Sequence, residues 1–179
     1  IIVMAITLMP IMNVGGMQLF KISNNDSSEK ILPKSKEIAL RLILVYTTLT
    51  IFCATSYKIF GMNFFDSITH SMTTIATGGF SNYNESLGFF NSRFIESSAI
   101  IFILLGSIPF ISYIKFLNGD REIFFKDIQI KTFLKIIFFS IVILSIYLNF
   151  NGSIKFDFIA VLFNVISILT GTGYVNAQF

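Results

Sequence analysis

Charge is scarce in this 179-residue chain: Asp, Glu, Lys and Arg together make up 13% of it, roughly half the share of a soluble domain. Hydrophobic residues fill 54% and the mean hydropathy is +0.75, so lipid is the solvent that the composition suits. Cysteine occurs once, at Cys53 inside an apolar run, which excludes a disulfide framework and a cysteine-based metal site. A buried small hydrophobe is its simplest role. Histidine also occurs once, at His70, so it has no companion as a metal ligand, and a packing or hydrogen-bonding role fits it better. Tryptophan is absent, although it often populates the interfacial belts of membrane proteins. The apolar runs carry no cluster of His, Asp or Glu, and no nucleophile–base pair or phosphate-cradling loop followed by Lys is present. The chain reads as a non-enzyme, with no nucleic-acid partner.

What the chain has is phenylalanine, 22 of them, and long apolar runs. Three runs, 38–60, 94–117 and about 130–150, are long enough to cross a bilayer, which takes ~20 helical residues. The opening residues 1–12 enter an apolar stretch at once, with no charged region before it. They read as the end of a transmembrane helix, not a signal peptide, and both ends of the sequence suggest an internal fragment. The expected architecture is an all-α membrane protein.

Lysine and arginine set the orientation. Lys21, Lys30, Lys34, Lys36 and Arg41 surround the first loop, and Lys115, Arg121, Lys126, Lys131 and Lys135 surround the connector 118–129. The alternate segments hold only Lys58, Arg93 and Lys155. The positive-inside rule therefore places the loop 13–37 and the connector in the cytoplasm and the loop 61–93 outside. On this reading Lys30 and Asp120 are cytoplasmic, and Asn84 and Asn151 external. The stretch 121–135 alternates charge with apolar residues, as a juxtamembrane amphipathic segment does.

Within the external loop, residues 64–75 (FFDSITHSMTTI) are semi-apolar and too short to cross. They must enter and leave on one side, followed by Ala76-Thr77-Gly78-Gly79-Phe80. Non-helical backbone survives at membrane depth where it is covered by protein or lines a water-filled cavity. The pattern returns after the last span: Lys155-Phe156-Asp157 opens a second semi-apolar segment that runs into Gly171-Thr172-Gly173-Tyr174. Alone, that segment passes for a fourth span; the repeat makes it a second re-entrant helix. Pairing Phe65-Asp66 with Phe156-Asp157, and Thr77-Gly78 with Thr172-Gly173, makes the second unit about one helical turn longer.

A dehydrated cation needs oxygens in place of its water shell, and backbone carbonyls on short curved strands can supply them. Such strands favour glycine. Thr77 and Thr172 can add hydroxyl oxygens, the helix C-termini add partial negative charge, and the aromatic residue can pack outward as a cuff. One Thr-Gly pair is ordinary turn material; two in register after short external helices are not.

Gly15-Gly16-Met17-Gln18-Leu19-Phe20, then Thr74-Ile75-Ala76-Thr77-Gly78-Gly79-Phe80-Ser81, then Leu169-Thr170-Gly171-Thr172-Gly173-Tyr174 together resemble the Trk/Ktr/HKT family of potassium uptake proteins, above all its bacterial TrkH-type membrane subunit. The resemblance covers essentially the whole chain. It implies four M1–pore-helix–M2 repeats around one pore in the bacterial inner membrane, with K+ as the transported ion. It also implies a homodimer embedded in membrane lipid and a cytosolic nucleotide-binding regulatory subunit, which the lysine-rich loop 13–37 can meet. The chain would then hold the end of repeat one (1–12), a cytoplasmic loop (13–37), a complete repeat two (38–117), a cytoplasmic connector (118–129), and M1 with the pore loop of repeat three (130–179).

The filter positions implied are Ala76, Thr77, Gly78 and Gly79, with Gly171, Thr172, Gly173 and Tyr174; Ala76, Thr77, Gly171 and Thr172 stand as the K+ ligands. Gly78 and Gly173 are the central glycines on this reading, and glycine there, not serine, goes with potassium preference in the family. Serine at either is expected to relax selectivity more than serine at Thr77 or Thr172. One departure is Gly106-Ser107-Ile108-Pro109 inside the run 94–117, where proline frees a backbone carbonyl and can kink the helix.

Asp66 and Asp157 are expected to cap the two short helices, with a lesser role, shared with Glu85 and Glu96, in drawing cations to an external vestibule. A secondary Na+- or H+-coupled transporter is the rival reading, because broken helices bind ions there too. A non-transporting scaffold whose glycines serve helix packing is the third.

Overall fold

The computed structural model describes residues 35–151 and 157–176. The helix end at 1–12, the Gly15–Phe20 motif, nearly all of the loop 13–37 and the Lys155-Phe156 pair lie outside the described residues. Contacts divide the chain into Ile1–Val45 and Tyr46–Phe179. Among the described residues the first unit contributes only the opening turns of α1; all that follows concerns the second.

The described residues are helical, with no strand among them. α1 is Ser35–Ile59, α2 Phe64–Ile75, α3 Arg93–Ser107, α4 Phe110–Leu117, α5 Ile123–Lys126, α6 Ile128–Asn151 and α7 Phe158–Leu169, with a 3₁₀ turn at Ser86–Phe90 before α3. Leu40–Ile59 and Ile128–Phe150 are each apolar and long enough to cross a membrane, and α3 with α4 are together long and apolar enough for a third crossing but are bent at the break between them. The runs 38–60 and 130–150 read from the sequence fall on unbroken helices, and the run 94–117 falls on the bent pair. This is an integral, multi-pass membrane chain.

Local chemistry explains the helices. Polar side chains inside α1 turn back on their own backbone: the Thr50 hydroxyl donates to the Tyr46 carbonyl at 2.8 Å, and Thr55 does the same to Ile51. Such back-bonding keeps these two hydroxyls from facing hydrocarbon unpaired. α6 exposes Phe138, Phe139, Ile143, Tyr147 and Phe150; an apolar exposed helix of this length belongs in lipid.

α3 and α4 meet at an angle of 82°. Pro109 has no N–H and stands at the N-cap of α4, so the ladder stops there. The break is chemically closed: the Ser107 hydroxyl donates to the Ile103 carbonyl at 2.7 Å and the Tyr113 hydroxyl to the Leu105 carbonyl at 2.6 Å. The kink expected at Gly106–Pro109 is thus a sharp break between two helices. The stretch 121–135 is not one amphipathic segment. Asp127 accepts the Gln129 N–H at 2.8 Å between α5 and α6, and the residues from Ile128 onward join the span.

α3 is the hub: it packs on both short helices, α2 and α7, and α7 also packs on α6. Ala99, Ile103, Phe163, Ile166 and Ile75 are buried there. Lipid is as apolar as these side chains, so close van der Waals fit does most of the holding. Gly106 shows how close: a Cβ on it would lie 2.6 Å from the Ile75 carbonyl oxygen at the end of α2.

Candidate ion-coordinating site

The two short helices have the same length and the same ends. α2 and α7 each run for 12 residues. Asn63 caps α2 by accepting the Asp66 N–H at 2.7 Å, and Asp157 caps α7 by accepting the Ile159 N–H at 3.1 Å. Ala76 and Thr170 close them in the right-handed region. The backbone then turns left-handed at Thr77 (φ 48°) and Gly79 (φ 66°) in the first unit, and at Gly171 (φ 74°) and Gly173 (φ 82°) in the second. Asn63 pairs with Asp157, Thr77 with Gly171, Gly79 with Gly173 and Phe80 with Tyr174, at one constant offset in sequence.

This register corrects the sequence pairing at both ends. Asp66 lies in the first turn of its helix and Asp157 before the start of its own, so the two acids are not equivalent and the second unit has no additional turn. At the other end, Gly173 matches Gly79 and not Gly78. Gly78 has an ordinary φ, and a Cβ on it would make ordinary contacts, with the Phe80 ring at 3.4 Å and the Thr73 carbonyl oxygen at 3.7 Å. The steric demand anticipated at Gly78 falls on Gly79, whose Cβ would lie 1.8 Å from the Thr172 carbonyl oxygen. Gly171 and Gly173 have open space and need glycine only for their φ.

Each segment is clamped to its own helix in a similar way, with the N–H donors one position apart in register. In the first, the Gly78 N–H donates to the Thr73 carbonyl at 2.7 Å and the Thr73 hydroxyl to the Phe80 carbonyl at 3.0 Å. In the second, the Gly173 N–H donates to the Ser167 carbonyl at 3.1 Å and the Ser167 hydroxyl to the Tyr174 carbonyl at 2.7 Å. Thr73 and Ser167 stand at matching helix positions.

The two units also join each other. Tyr174 is buried and carries its hydroxyl onto α2, where it meets the hydroxyls of Thr73 and Thr74 and donates to the His70 carbonyl at 3.2 Å. Thr74 in turn meets the Tyr57 hydroxyl at 2.9 Å. Phe80, at the matching position, is 77% exposed. Among the eight residues singled out from sequence, Gly79, Thr172 and Gly173 are therefore brought together backbone to backbone. Thr172 is buried and its hydroxyl meets Thr170 at 2.7 Å; Ala76, Gly78 and Gly171 face open space.

The acidic residues are occupied. The Asp66 carboxylate is 2% exposed and accepts from Asn63 (2.7 Å), Asn82 (2.9 Å) and the Tyr83 hydroxyl (2.7 Å). Burial alone would raise its pKa, but the bonds from Tyr83 and Asn82 outweigh it and hold the group below the usual carboxylate value. Asp157 pairs with Arg93 at 2.5 Å; that bond holds its pKa down against burial, with the backbone N–H of Ala160 assisting. Both acids serve the helix starts. Glu85 is exposed and Glu96 sits in the first turn of α3.

Among the described residues no three His, Cys, Asp or Glu come together as a metal cluster. Oxygen for a cation here can come from backbone carbonyls and threonine hydroxyls at the C-terminal ends of α2 and α7, where helix dipoles favour positive charge. The residues that sequence reading passed over are Thr73, Ser167 and Tyr57, while Gly106 was read as part of a kink and not as a packing contact. Their signal was faint: hydroxyls spaced along apolar helices.

The profile of the TrkH cation transport proteins matches residues 1–150. The chain belongs to this family. The Trk system potassium uptake protein TrkI of Halomonas elongata is 35% identical over the whole chain, which covers 37% of that protein. The potassium uptake protein TrkH of Escherichia coli K12 is 33% identical over 98% of the chain, which covers 38% of it. The crystal structure of the potassium transporter TrkH from Vibrio parahaemolyticus superposes with a TM-score of 0.78 at 30% identity, over 98% of this chain and 36% of that one. The chain spans a little over a third of the length of these relatives.

Proposed function

We propose that this chain supplies two units of a potassium-conducting pore and takes part in K+ uptake across the bacterial inner membrane. The observation that carries the reading is the matched pair of helix-then-filter segments, with left-handed backbone at the same two positions of each and contact between Gly79 and Thr172. Ala76, Thr77, Gly78 and Gly79, with Gly171, Thr172, Gly173 and Tyr174, form this half of the filter, and Ala76, Thr77, Gly171 and Thr172 lend oxygen to K+. Residues 38–117 are repeat two, and 130–179 open repeat three. Tyr174 sends its ring to the preceding unit; Phe80, exposed at the same position, suits a preceding unit of the same kind. Four such repeats enclose one carbonyl-lined pathway.

The transported ion is the only cofactor, and the protein is a transporter, not an enzyme. It works as a homodimer in lipid with a cytosolic nucleotide-binding regulatory subunit, for which the loop 13–37 is the contact. A coupled Na+ or H+ transporter is disfavoured because the units recur in the same direction along the chain instead of inverted, and because Asp66 and Asp157 are already bonded.

The test is K+ uptake by the full-length protein in bacterial cells that lack their own K+ systems. Growth at micromolar K+ and K+ uptake resistant to excess Na+ are expected. Uptake indistinguishable from vector-only cells would overturn the reading.

A further inference from the structure

His70 lies outside the filter segments, yet it is fully buried and both ring nitrogens are engaged. Nδ1 lies 2.9 Å from the Asp66 carbonyl oxygen. A carbonyl can only accept, so Nδ1 carries the proton. Nε2 of the neutral ring is then an acceptor, and it lies 3.0 Å from the Ser81 hydroxyl, the residue directly after the first filter segment. Ser81 accepts the Tyr83 N–H at 3.1 Å, which leaves its own proton free to donate to Nε2.

The register of the two units gives this arrangement a counterpart. Asn164 occupies in α7 the position that His70 occupies in α2. Its amide N–H₂ donates to the Ala160 carbonyl at 2.8 Å, one turn back, and to the Asn176 side-chain oxygen at 2.6 Å, just past the second filter segment. His70, Asn164 and Asn176 are buried, and Ser81 is half-buried. A histidine and an asparagine thus make two analogous connections: one to the helix backbone a turn earlier, one to the chain leaving the filter, on residues one position apart in register and with the donor reversed.

We infer that His70 is a positioning residue for the filter, a neutral hydrogen-bond brace that pins the exit of the 77–80 segment to α2 as Asn164 pins the exit of 171–174. The inference rests on the pore reading above. Thr73 fixes the middle of the segment and His70 its end, so the carbonyls between them cannot drift. The imidazole adds a second, separable role: its faces and edges pack against Tyr83, Phe90 and Tyr174 at centroid distances of 6.4, 5.4 and 6.4 Å. Asparagine can keep the bonds and lose the packing; phenylalanine can keep the packing and lose the bonds. The titratable groups around the ring are Asp66 on the same helix, Tyr83 on the following loop and Tyr174 on the other filter segment.

The experiment compares H70N and H70F in the full-length protein by K+/Na+ uptake ratio at matched membrane levels, with thermal stability measured alongside. H70N should hold the wild-type ratio within roughly threefold and melt lower, while H70F should lose about tenfold or more in the ratio. Equal ratios in the two variants, or a wild-type ratio in H70F, would overturn the brace. If H70F does not reach the membrane, S81A removes the Nε2 partner and should show the same loss; a wild-type ratio there overturns the inference equally. A second arm needs no transport: ¹⁵N-histidine NMR of the full-length protein at pH 7, with H70N identifying the resonance by subtraction. A neutral ring protonated at Nδ1 is expected, and a ring protonated at Nε2 or at both nitrogens sinks it. Wild-type protein that fails to take up K+ but shows the Nδ1 proton would refute the pore reading and leave the brace standing.

Discussion

Gly79 and Thr172 meet backbone to backbone, so closely that a Cβ at residue 79 would fall 1.8 Å from the Thr172 carbonyl oxygen. Gly79 also sits at φ 66°, where an L side chain is strained. Its neighbour Gly78 has neither restriction.

G79A should therefore cost the full-length protein at least about tenfold in K+ over Na+ discrimination, the equivalent of ~1.4 kcal/mol, whereas G78A should stay near wild type. The displaced group is the Thr172 carbonyl itself, so the damage crosses from one unit to the other. Uptake of each cation at matched protein levels decides it. Equal losses from both alanines would mean that the register assigned here is wrong.

The long apolar runs and the first short helix were legible in the sequence from length and hydropathy, and the second short helix from its likeness to the first. The register between the units was not. Thr-Gly occurs in both, at Thr77-Gly78 and Thr172-Gly173, and Phe-Asp recurs at Phe65-Asp66 and Phe156-Asp157, so local identity draws the eye to pairs that do not correspond. What fixes correspondence is which residue caps the helix and which adopts positive φ, and Thr77 doing what Gly171 does is invisible in letters. The docking of Tyr174 on α2 and the fit of Gly106 under Ile75 are tertiary facts, with no local pattern to announce them.

Gly106 is the next position where size decides. Its Cβ would lie 2.6 Å from the Ile75 carbonyl oxygen, and that atom is backbone at the end of α2, unable to swing aside. G106A should shift the helix end that feeds Thr77 and lower K+ uptake by about tenfold or more, although Gly106 is not itself a filter residue. S107A, one residue on, removes only a hydroxyl bonded to Ile103 and should stay close to wild type. Wild-type uptake in G106A would show that α3 retreats freely.

Asp66 predicts a pH dependence with a definite sign. Its folded pKa lies below the ordinary 3.8, so its contribution to stability is complete above that value and is lost as pH falls through the folded one. Three donors converge on the carboxylate, and D66N turns one acceptor into a donor facing them. D66N should cost about 2 kcal/mol at pH 7. The gap in melting temperature between wild type and D66N should be constant from pH 7 to 5 and close below pH 4. A gap that widens as pH falls would contradict the bonded carboxylate.

The last prediction concerns the latch between the units. The Tyr174 hydroxyl meets Thr73 and Thr74 and donates to the His70 carbonyl, while the Tyr174 carbonyl is held separately by Ser167. Y174F removes the hydroxyl without disturbing that second bond or the ring stacked on His70. It should cost roughly 1–2 kcal/mol, the range of one or two buried neutral hydrogen bonds. Thr73 also holds the Phe80 carbonyl, so T73V alone damages the clamp as well as the latch, and single losses cannot be compared directly. A double-mutant cycle separates them: if the latch joins the two residues, Y174F in a T73V background should cost less than in wild type by about 1 kcal/mol. Thermal denaturation of the four proteins in one detergent gives the number. Strict additivity would mean that Tyr174 and Thr73 are neighbours without being partners, and the join between the units would then rest on the other bonds of Tyr174 to α2, the Arg93–Asp157 pair and the Gly79–Thr172 contact.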